Sequence, residues 1–562
     1  LGQCGLHLGI ALHLLLQLPS ALVDVGFEIE IGGGELQLGL PAIVEDRKKG
    51  KADEGQRHHG EPRRISPFAD RKGWVAETAQ AIDAAYAAFP AWSRLPAEQR
   101  AAFLTKATNL MLERAEDLAR ILTLENGKPL AESIGEVRTA AAFLQWNAEE
   151  ARRIYGEVVP SARTDTRVLT FKQPVGVVAA ITPWNFPCSM VTRKLGPALA
   201  AGCTAIMRPA RATPLIAIAI YQILHEVGIP KGVVNLVTGT DSAGMGDELA
   251  TNPKVRKLTF TGSTEVGKQL MAKCTGTVKR VSMELGGHAP FLVFADADLD
   301  KAADAVVTSR FRNAGQTCIC TNRVYVQKAV AETFSAKVAS RVAALKVGNG
   351  LTAGTQVGPL IDEHGFRKVE QHVNDAVARG GKVLAGGKPF ATPSGGGHER
   401  SDVSGWFFEP TVIGAAHPEM LVMHEETFGP VLPIMEFDTE EDAIRMANDT
   451  PYGLAAYFFT RDVGRIFRVS EGLEYGIIGA NDPLPTGPHI PFGGYKESGV
   501  ARENGSDGIN HFLEVKAVSV ELANVLQVRT EQGLYQLEPE GHSTLKWGYF
   551  LRAWVAQARA SG

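Results

Sequence analysis

Apolar positions along the chain follow two patterns that succeed one another. Between Ala97 and Glu125, the residues Leu104, Ala107, Met111, Ala115, Leu118 and Leu122 recur every three or four positions, which predicts one amphipathic helix ended by Asn126-Gly127. From Val175 onward short β-branched runs take over. VGVVAAI, CTAIM, VVNLV and KLTFT each lead into a loop or an Ala/Leu-rich helical segment. Beyond Glu284 the runs FLVF, RVYVQ and VLAGG alternate with the helical segments LDKAADAVVTSRF and FRKVEQHVNDAVARG. Strands apolar on both faces and separated by helices predict parallel sheets covered on each side. The fold class is therefore α/β, with two Rossmann-like lobes, and no tandem repeat of roughly 20 to 50 residues interrupts it.

The two ends differ from this core. Residues 1–72 include the glycine run Gly32 to Gly34 and the polar stretch EDRKKGKADEGQRHHGEPRR, which is expected to be mobile because it has too little apolar surface to bury. After Leu522 the tail ends KWGYFLRAWVAQARASG, where Trp547, Phe550, Leu551 and Val555 predict a terminal helix. The most apolar early stretch, Leu6 to Val23, contains His7, His13, Gln17 and Pro19, so it reads as neither signal peptide nor membrane span.

A length of 562 residues allows roughly two to four domains. The net charge of −4 supplies no basic field for nucleic acid or an anionic membrane. Six cysteines in so long a chain do not form a disulfide framework and suit a reducing compartment, which places the protein in the cytoplasm.

Several segments could carry chemistry. In KLTFTGSTEVGKQLMAKC an apolar strand runs into Thr261, Gly262 and Ser263, and a helix starts at once with Gly267 one turn in. Such a junction aims free N–H groups and the positive end of a helix dipole at one point, as a phosphate or pyrophosphate requires. In FRNAGQTCICTNR, Cys318 lies in a turn near Arg310, Arg312 and Arg323; cationic neighbours are expected to lower its pKa and give a nucleophilic thiolate. No Cys or His pair completes a metal site around Cys-x-Cys, so no metal is expected. VSMELGG puts Glu284 at the join of the two α/β regions, and ITPWNFP holds Trp184 and Asn185 in a stiff loop between prolines, with the Asn185 amide available as a donor.

ITPWNFP, FTGSTEVG, MELGG, GQTC, EETFGP and PFGGYKESG occur in this order over more than 300 residues. From about Val75 to Leu522 the chain resembles the aldehyde dehydrogenase superfamily. The resemblance implies an NAD(P)-dependent enzyme in which Cys318 attacks the aldehyde, Asn185 and the Cys318 amide hold the oxyanion, and Glu284 is the general base that hydrolyses the thioester. It assigns Ser263 to the cofactor pyrophosphate with Gly262 and Gly267 beside it, Trp184 to the adjoining wall, and Glu426 to the nicotinamide ribose with Phe428 packed nearby. Where the family carries Lys in K-P-A-[SE], this chain reads Arg208-Pro209-Ala210-Arg211. An arginine at the last position removes the repulsion a Glu would exert on a 2′-phosphate and offers a fork to it, so NADP, or use of both cofactors, is expected over NAD alone.

VTRKLGPALAAGC, FRNAGQTCIC and EYGIIGAND further resemble the succinate-semialdehyde dehydrogenase branch. That likeness implies that Arg193 and Arg312 clamp the distal carboxylate of the substrate and that Cys320 is a redox partner able to close reversibly on Cys318. The loop NDPLPTGPH departs from the branch around Thr486 and Gly487, which leaves 2-oxoglutarate or glutarate semialdehyde as alternative substrates. The rivals are a CoA-acylating relative, which Glu284 argues against, and a non-catalytic descendant, which the joint presence of Asn185, Glu284, Cys318 and Glu426 argues against.

The implied organisation is a cofactor-binding domain from 73–154 and 172–283, a catalytic domain with a returning loop over 284–497, and a small β oligomerisation element from 155–171 and 498–522 that builds homodimers or homotetramers. Segments 1–72 and 523–562 are atypical. In SGVARE, Ala501 stands where the family has Gly and is expected to restrict the turn.

Overall fold

The computed structural model describes residues 29–31, 34–36, 71–390, 399–400, 403–522, 526–530 and 533–537. The chain divides into two compact units, Leu1–Gly73 and Trp74–Gly562. In the first, a short antiparallel pair joins Ile29–Ile31 to Gly34–Leu36, an element the sequence reading did not contain. The polar stretch at 45–64 and the tail helix expected around Trp547 lie outside the described residues.

The second unit opens with helices. The single helix expected over Ala97–Glu125 is two, Ala97–Glu113 and Ala115–Asn126, broken at Arg114, whose φ −101 and ψ 20 leave the helical region. No Gly or Pro marks the break. Arg114 makes a bidentate, solvent-exposed pair with Glu226 at this corner, at 2.7 Å for each bond. The stop at Gly127 is as expected: its φ of 91 forms a left-handed cap. Leu104, Ala107, Met111, Leu118 and Leu122 all point into one core shared with Leu195, Leu199 and Ile220.

Two sheets follow. In the first, Arg280–Glu284, Val255–Thr261, Val177–Ile181, Thr204–Arg208 and Val234–Leu236 run parallel in that spatial order, and Gly499–Val500 adds an antiparallel edge beside Glu284. The second sheet has seven strands in the order Lys382–Ala385, Thr411–Gly414, Val431–Phe437, Thr321–Gln327, Ala289–Val293, Ala455–Phe459 and Ile477–Ala480, parallel except at its first pair. Val177–Ile181, Thr204–Arg208 and Ala289–Val293 are buried at every position, which is why they read as unbroken apolar runs. A third, antiparallel sheet joins Leu513–Glu521, Thr166–Pro174 and Glu157–Val159. Ala501 has a φ of 76, the left-handed conformation in which glycine is favoured.

Candidate active site

The site forms where the ends of both large sheets meet. Glu284 is the last residue of its strand, and the turn after it, Leu285-Gly286-Gly287, is pinned on both sides. The Ser498 carbonyl accepts the Leu285 amide at 2.9 Å, and the Ser498 hydroxyl donates to the Gly286 carbonyl at 2.7 Å. Gly287 runs against the Cys318 backbone: a Cβ there would stand 2.3 Å from the Cys318 carbonyl oxygen, so only glycine lets the two segments touch.

Cys318 follows a sharp corner. The helix Leu299–Phe311 ends, and Asn313, Ala314 and Gly315 adopt φ values of 50, 55 and 76 in succession. Three left-handed residues in a row, two of them not glycine, store strain of the kind found at functional turns. The corner is held by the Arg310 guanidinium, buried completely, which donates to Thr321 O and Asn322 Oδ1 at 2.9 Å each and to the Gly429 carbonyl. Tyr457 adds a 2.6 Å bond to the Ile319 carbonyl.

One expectation fails here. The Cys318 thiol is not lowered by its cationic neighbours but pushed up to about 12, first by burial and then by the carboxylates Glu426 and Glu284, with only Arg193 opposing. The arginines close in sequence are committed elsewhere: Arg310 serves the corner, and Arg323 donates to the carbonyls of His288 and Ala447 at 3.1 and 2.9 Å. The Cys318 sulfur is therefore held in the thiol form.

Glu284 lies close enough to Cys318 to act on its charge. Its carboxylate is 1% exposed, and neither oxygen has a hydrogen-bond partner among the described residues. Burial and the nearby Glu503 hold it well above the usual carboxylate range, against Lys194, Arg193 and Arg502. Glu503 pairs with Lys194 at 2.7 Å and stands 3.8 Å from Arg193. Burial alone would raise Glu503, but these cations outweigh it and keep its carboxyl low. The sequence reading missed both Lys194 and Glu503.

Arg193 is buried, its guanidinium 4.3 Å from the centre of the Phe492 ring and 5.0 Å from that of Phe143, with Nε and Nη1 unpartnered. Arg312 packs 4.7 Å over Phe186. Asn185 is buried beside them, its side-chain nitrogen donating to the Gln316 carbonyl at 3.0 Å. Cys320 is turned away from solvent: its sulfur takes a bond from Arg310 at 3.1 Å and donates to the Gly315 carbonyl at 3.4 Å, and both Cys318 and Cys320 are free thiols.

The residues expected around a cofactor each have defined local contacts. Ser263 caps the helix Thr264–Cys274, its hydroxyl accepting the Val266 amide at 3.4 Å. Gly267 is buried, and a Cβ there would stand 2.3 Å from Leu285 Cδ2; this glycine lets the helix approach the strand end rather than facing the helix N-terminus. Trp184 and Phe428 meet edge to face at 5.5 Å, with Phe428 at a φ of 53. Glu426 accepts the Gly287 amide at 3.2 Å and is pushed to about 7 by burial. Arg208 bonds Ser242 and keeps its Nε unpartnered, while Arg211 is exposed. A helix N-terminus for a pyrophosphate, a carboxylate for ribose hydroxyls, and two guanidiniums at the far end match a phosphorylated dinucleotide in donor chemistry.

Residues 69–518 match the aldehyde dehydrogenase family. The chain belongs to that family. A glutarate-semialdehyde dehydrogenase of Pseudomonas aeruginosa is 52% identical over 443 residues, covering 79% of this chain and 89% of that protein. A succinate-semialdehyde dehydrogenase [NADP(+)] of Escherichia coli is 52% identical over 446 residues, covering 79% and 90%. A crystal structure of an NADP-dependent enzyme of Escherichia coli superposes with a TM-score of 0.77 at 51% identity, covering 80% of this chain and 91% of the other. The α/β fold, the enzyme class and the nicotinamide cofactor expected from the motifs are those of this family. Among the described residues, no helix is long and apolar enough to cross a membrane.

Proposed function

We propose that this aldehyde dehydrogenase oxidises a short aldehyde bearing a distal carboxylate, with succinate semialdehyde as the leading substrate. The observation that carries this reading is Arg193: a buried guanidinium with two nitrogens that make no hydrogen bond, its Nη1 3.8 Å from Glu503, and close enough to Cys318 to act on the charge of its sulfur. Buried donors without a hydrogen bond are costly, and a substrate carboxylate bound by Arg193 and Arg312 relieves that cost while fixing the aldehyde carbon at Cys318.

The chemistry then follows from the residues. On attack the Cys318 thiol releases its proton to solvent and a C–S bond forms. The resulting oxyanion is held by the Asn185 amide and the Cys318 N–H. A nicotinamide dinucleotide held by Ser263 and Glu426 would supply the acceptor for the hydride of this carbon. Glu284, once ionised, takes a proton from the water that attacks the thioester, and the acid leaves as the C–S bond breaks and the Cys318 sulfur takes that proton back.

Arg211, exposed and beside Arg208, supports NADP as the better cofactor, and the name of the Escherichia coli relative agrees. The sequence of the loop around Thr486, NDPLPTGPH, and the name of the Pseudomonas aeruginosa relative support a second reading, a five-carbon semialdehyde. The three-stranded sheet is assigned to oligomerisation, because Val158 and Val515 stand about 70% exposed on it.

Rates with succinate semialdehyde, glutarate semialdehyde and butanal test the reading. The carboxylated aldehydes are expected to exceed butanal in kcat/KM by about 10- to 100-fold, the worth of one charged hydrogen-bonded anchor. Equal rates with butanal would remove the carboxylate clamp.

A further inference from the structure

Asn185 is gripped from several directions. Its side-chain Oδ1 accepts the Phe186 amide at 3.1 Å, and Nδ2 spends one hydrogen on the Gln316 carbonyl at 3.0 Å. These two bonds fix which way the amide faces and leave its second N–H hydrogen free. The main-chain carbonyl of Asn185 accepts two further bonds, from Lys128 Nζ at 2.7 Å and Asn313 Nδ2 at 3.0 Å.

Lys128 does not act alone. It pairs with Glu136 at 2.5 Å, and both side chains are buried, at 0% and 1% exposure. The other Glu136 oxygen accepts the amides of Cys188 and Ser189 at 2.9 and 3.2 Å, in the first turn of the helix Pro187–Ala201 that begins two residues after Asn185. One carboxylate thus ties the start of that helix to the ammonium that holds the Asn185 peptide. Lys128 Nζ also lies 3.9 Å from the centre of the Phe186 ring, on which Arg312 rests at 4.7 Å.

We propose that Lys128 and Glu136 are positioning residues for the reaction at Cys318: their ion pair fixes the Asn185 peptide so that the free amide hydrogen stays aimed at the developing oxyanion. This rests on the reading of Asn185 as an oxyanion donor. A buried ion pair adds little net stability over an apolar pair of similar volume. Stability therefore does not account for this one, whereas its directional bonds to Asn185, Cys188 and Ser189 do. A donor displaced by about 1 Å loses on the order of 100-fold in rate, so small shifts of this peptide matter.

The test is the single-turnover rate of reduced-nicotinamide formation with succinate semialdehyde and NADP, in wild type, Lys128→Met, Asn185→Ala and Lys128→Met/Asn185→Ala. Lys128→Met is expected to slow turnover about 10- to 100-fold with KM for both substrates within about twofold. In the Asn185→Ala background it is expected to add less than about twofold, because the group it positions is gone. Removing one partner of a buried pair strands the other and threatens folding, so Lys128→Met/Glu136→Met is measured too. It is expected to recover the thermal midpoint without recovering the rate. A rate that returns with the midpoint, or a full further loss in the Asn185→Ala background, overturns the proposal. A silent wild type instead overturns the function on which it rests.

Discussion

Arg193 stacks 4.3 Å from the Phe492 ring centre while standing 3.8 Å from Glu503, a separation at which the two charges feel each other without a hydrogen bond. The aromatic face and a distant carboxylate hold the guanidinium in place and leave its donors for a ligand. Arg193→Ala is expected to raise KM for succinate semialdehyde about 10- to 100-fold while KM for butanal changes little. Steady-state rates with the two aldehydes check this, and equal losses with both would show that Arg193 serves the protein rather than the substrate carboxylate.

The Glu284–Glu503 relationship sets a pH dependence. Burial and Glu503 raise Glu284, so in the resting enzyme it tends to hold a proton that a general base must lack. Turnover limited by thioester hydrolysis should therefore rise with pH. Glu503→Gln removes the negative neighbour and frees Lys194 and Arg193 to favour the Glu284 carboxylate, and both changes act in one direction. The ascending limb is expected to move to lower pH in Glu503→Gln, as rate against pH will show; a shift to higher pH would contradict the coupling.

Among the described residues Arg211 forms no ion pair, and it is exposed to meet a ligand. Arg211→Glu should cut kcat/KM for NADP at least about tenfold and leave NAD within about threefold, since only the former carries the 2′-phosphate that a carboxylate repels. An unchanged ratio of the two cofactors would place the phosphate elsewhere.

Lys257 offers a stability test away from turnover. It is buried, its ammonium donates to the Ser282 hydroxyl at 2.5 Å, and burial, then Lys194, lower its pKa to about 7. A lysine whose folded pKa lies below its unfolded value contributes stability that is present above the unfolded value, about 10.4, and is lost as pH falls toward 7, by at most about 1.4 kcal/mol per unit. Lys257→Met removes that slope. Its thermal midpoint relative to wild type should rise steadily between pH 9 and pH 7, and parallel curves would contradict the assignment.

How much of this was legible from sequence depended on the kind of signal. Val177–Ile181 and Ala289–Val293 announced themselves because strands buried on both faces must be apolar throughout. The break at Arg114 did not, because no Gly or Pro marks it. Cys318, Glu284 and Asn185 stood out through their motifs. Their supports did not: Lys128, Glu136, Lys194 and Glu503 are charged residues that in sequence look like a solvated surface, and only folding shows them buried and paired. The thiol of Cys318 was misjudged for a related reason. Proximity in sequence to Arg310 and Arg323 said nothing of the carbonyls on which those arginines are spent.

The central claim is that Cys318 carries the acyl group and Glu284 releases it. The most direct measurement is the intact mass of Glu284→Gln after mixing with succinate semialdehyde and NADP, followed by peptide mapping. The account predicts one succinyl group per chain, on Cys318, formed together with one equivalent of reduced nicotinamide and persisting because its hydrolysis lacks a base. An unmodified protein with sustained turnover, or an acyl group on Cys320, would contradict it.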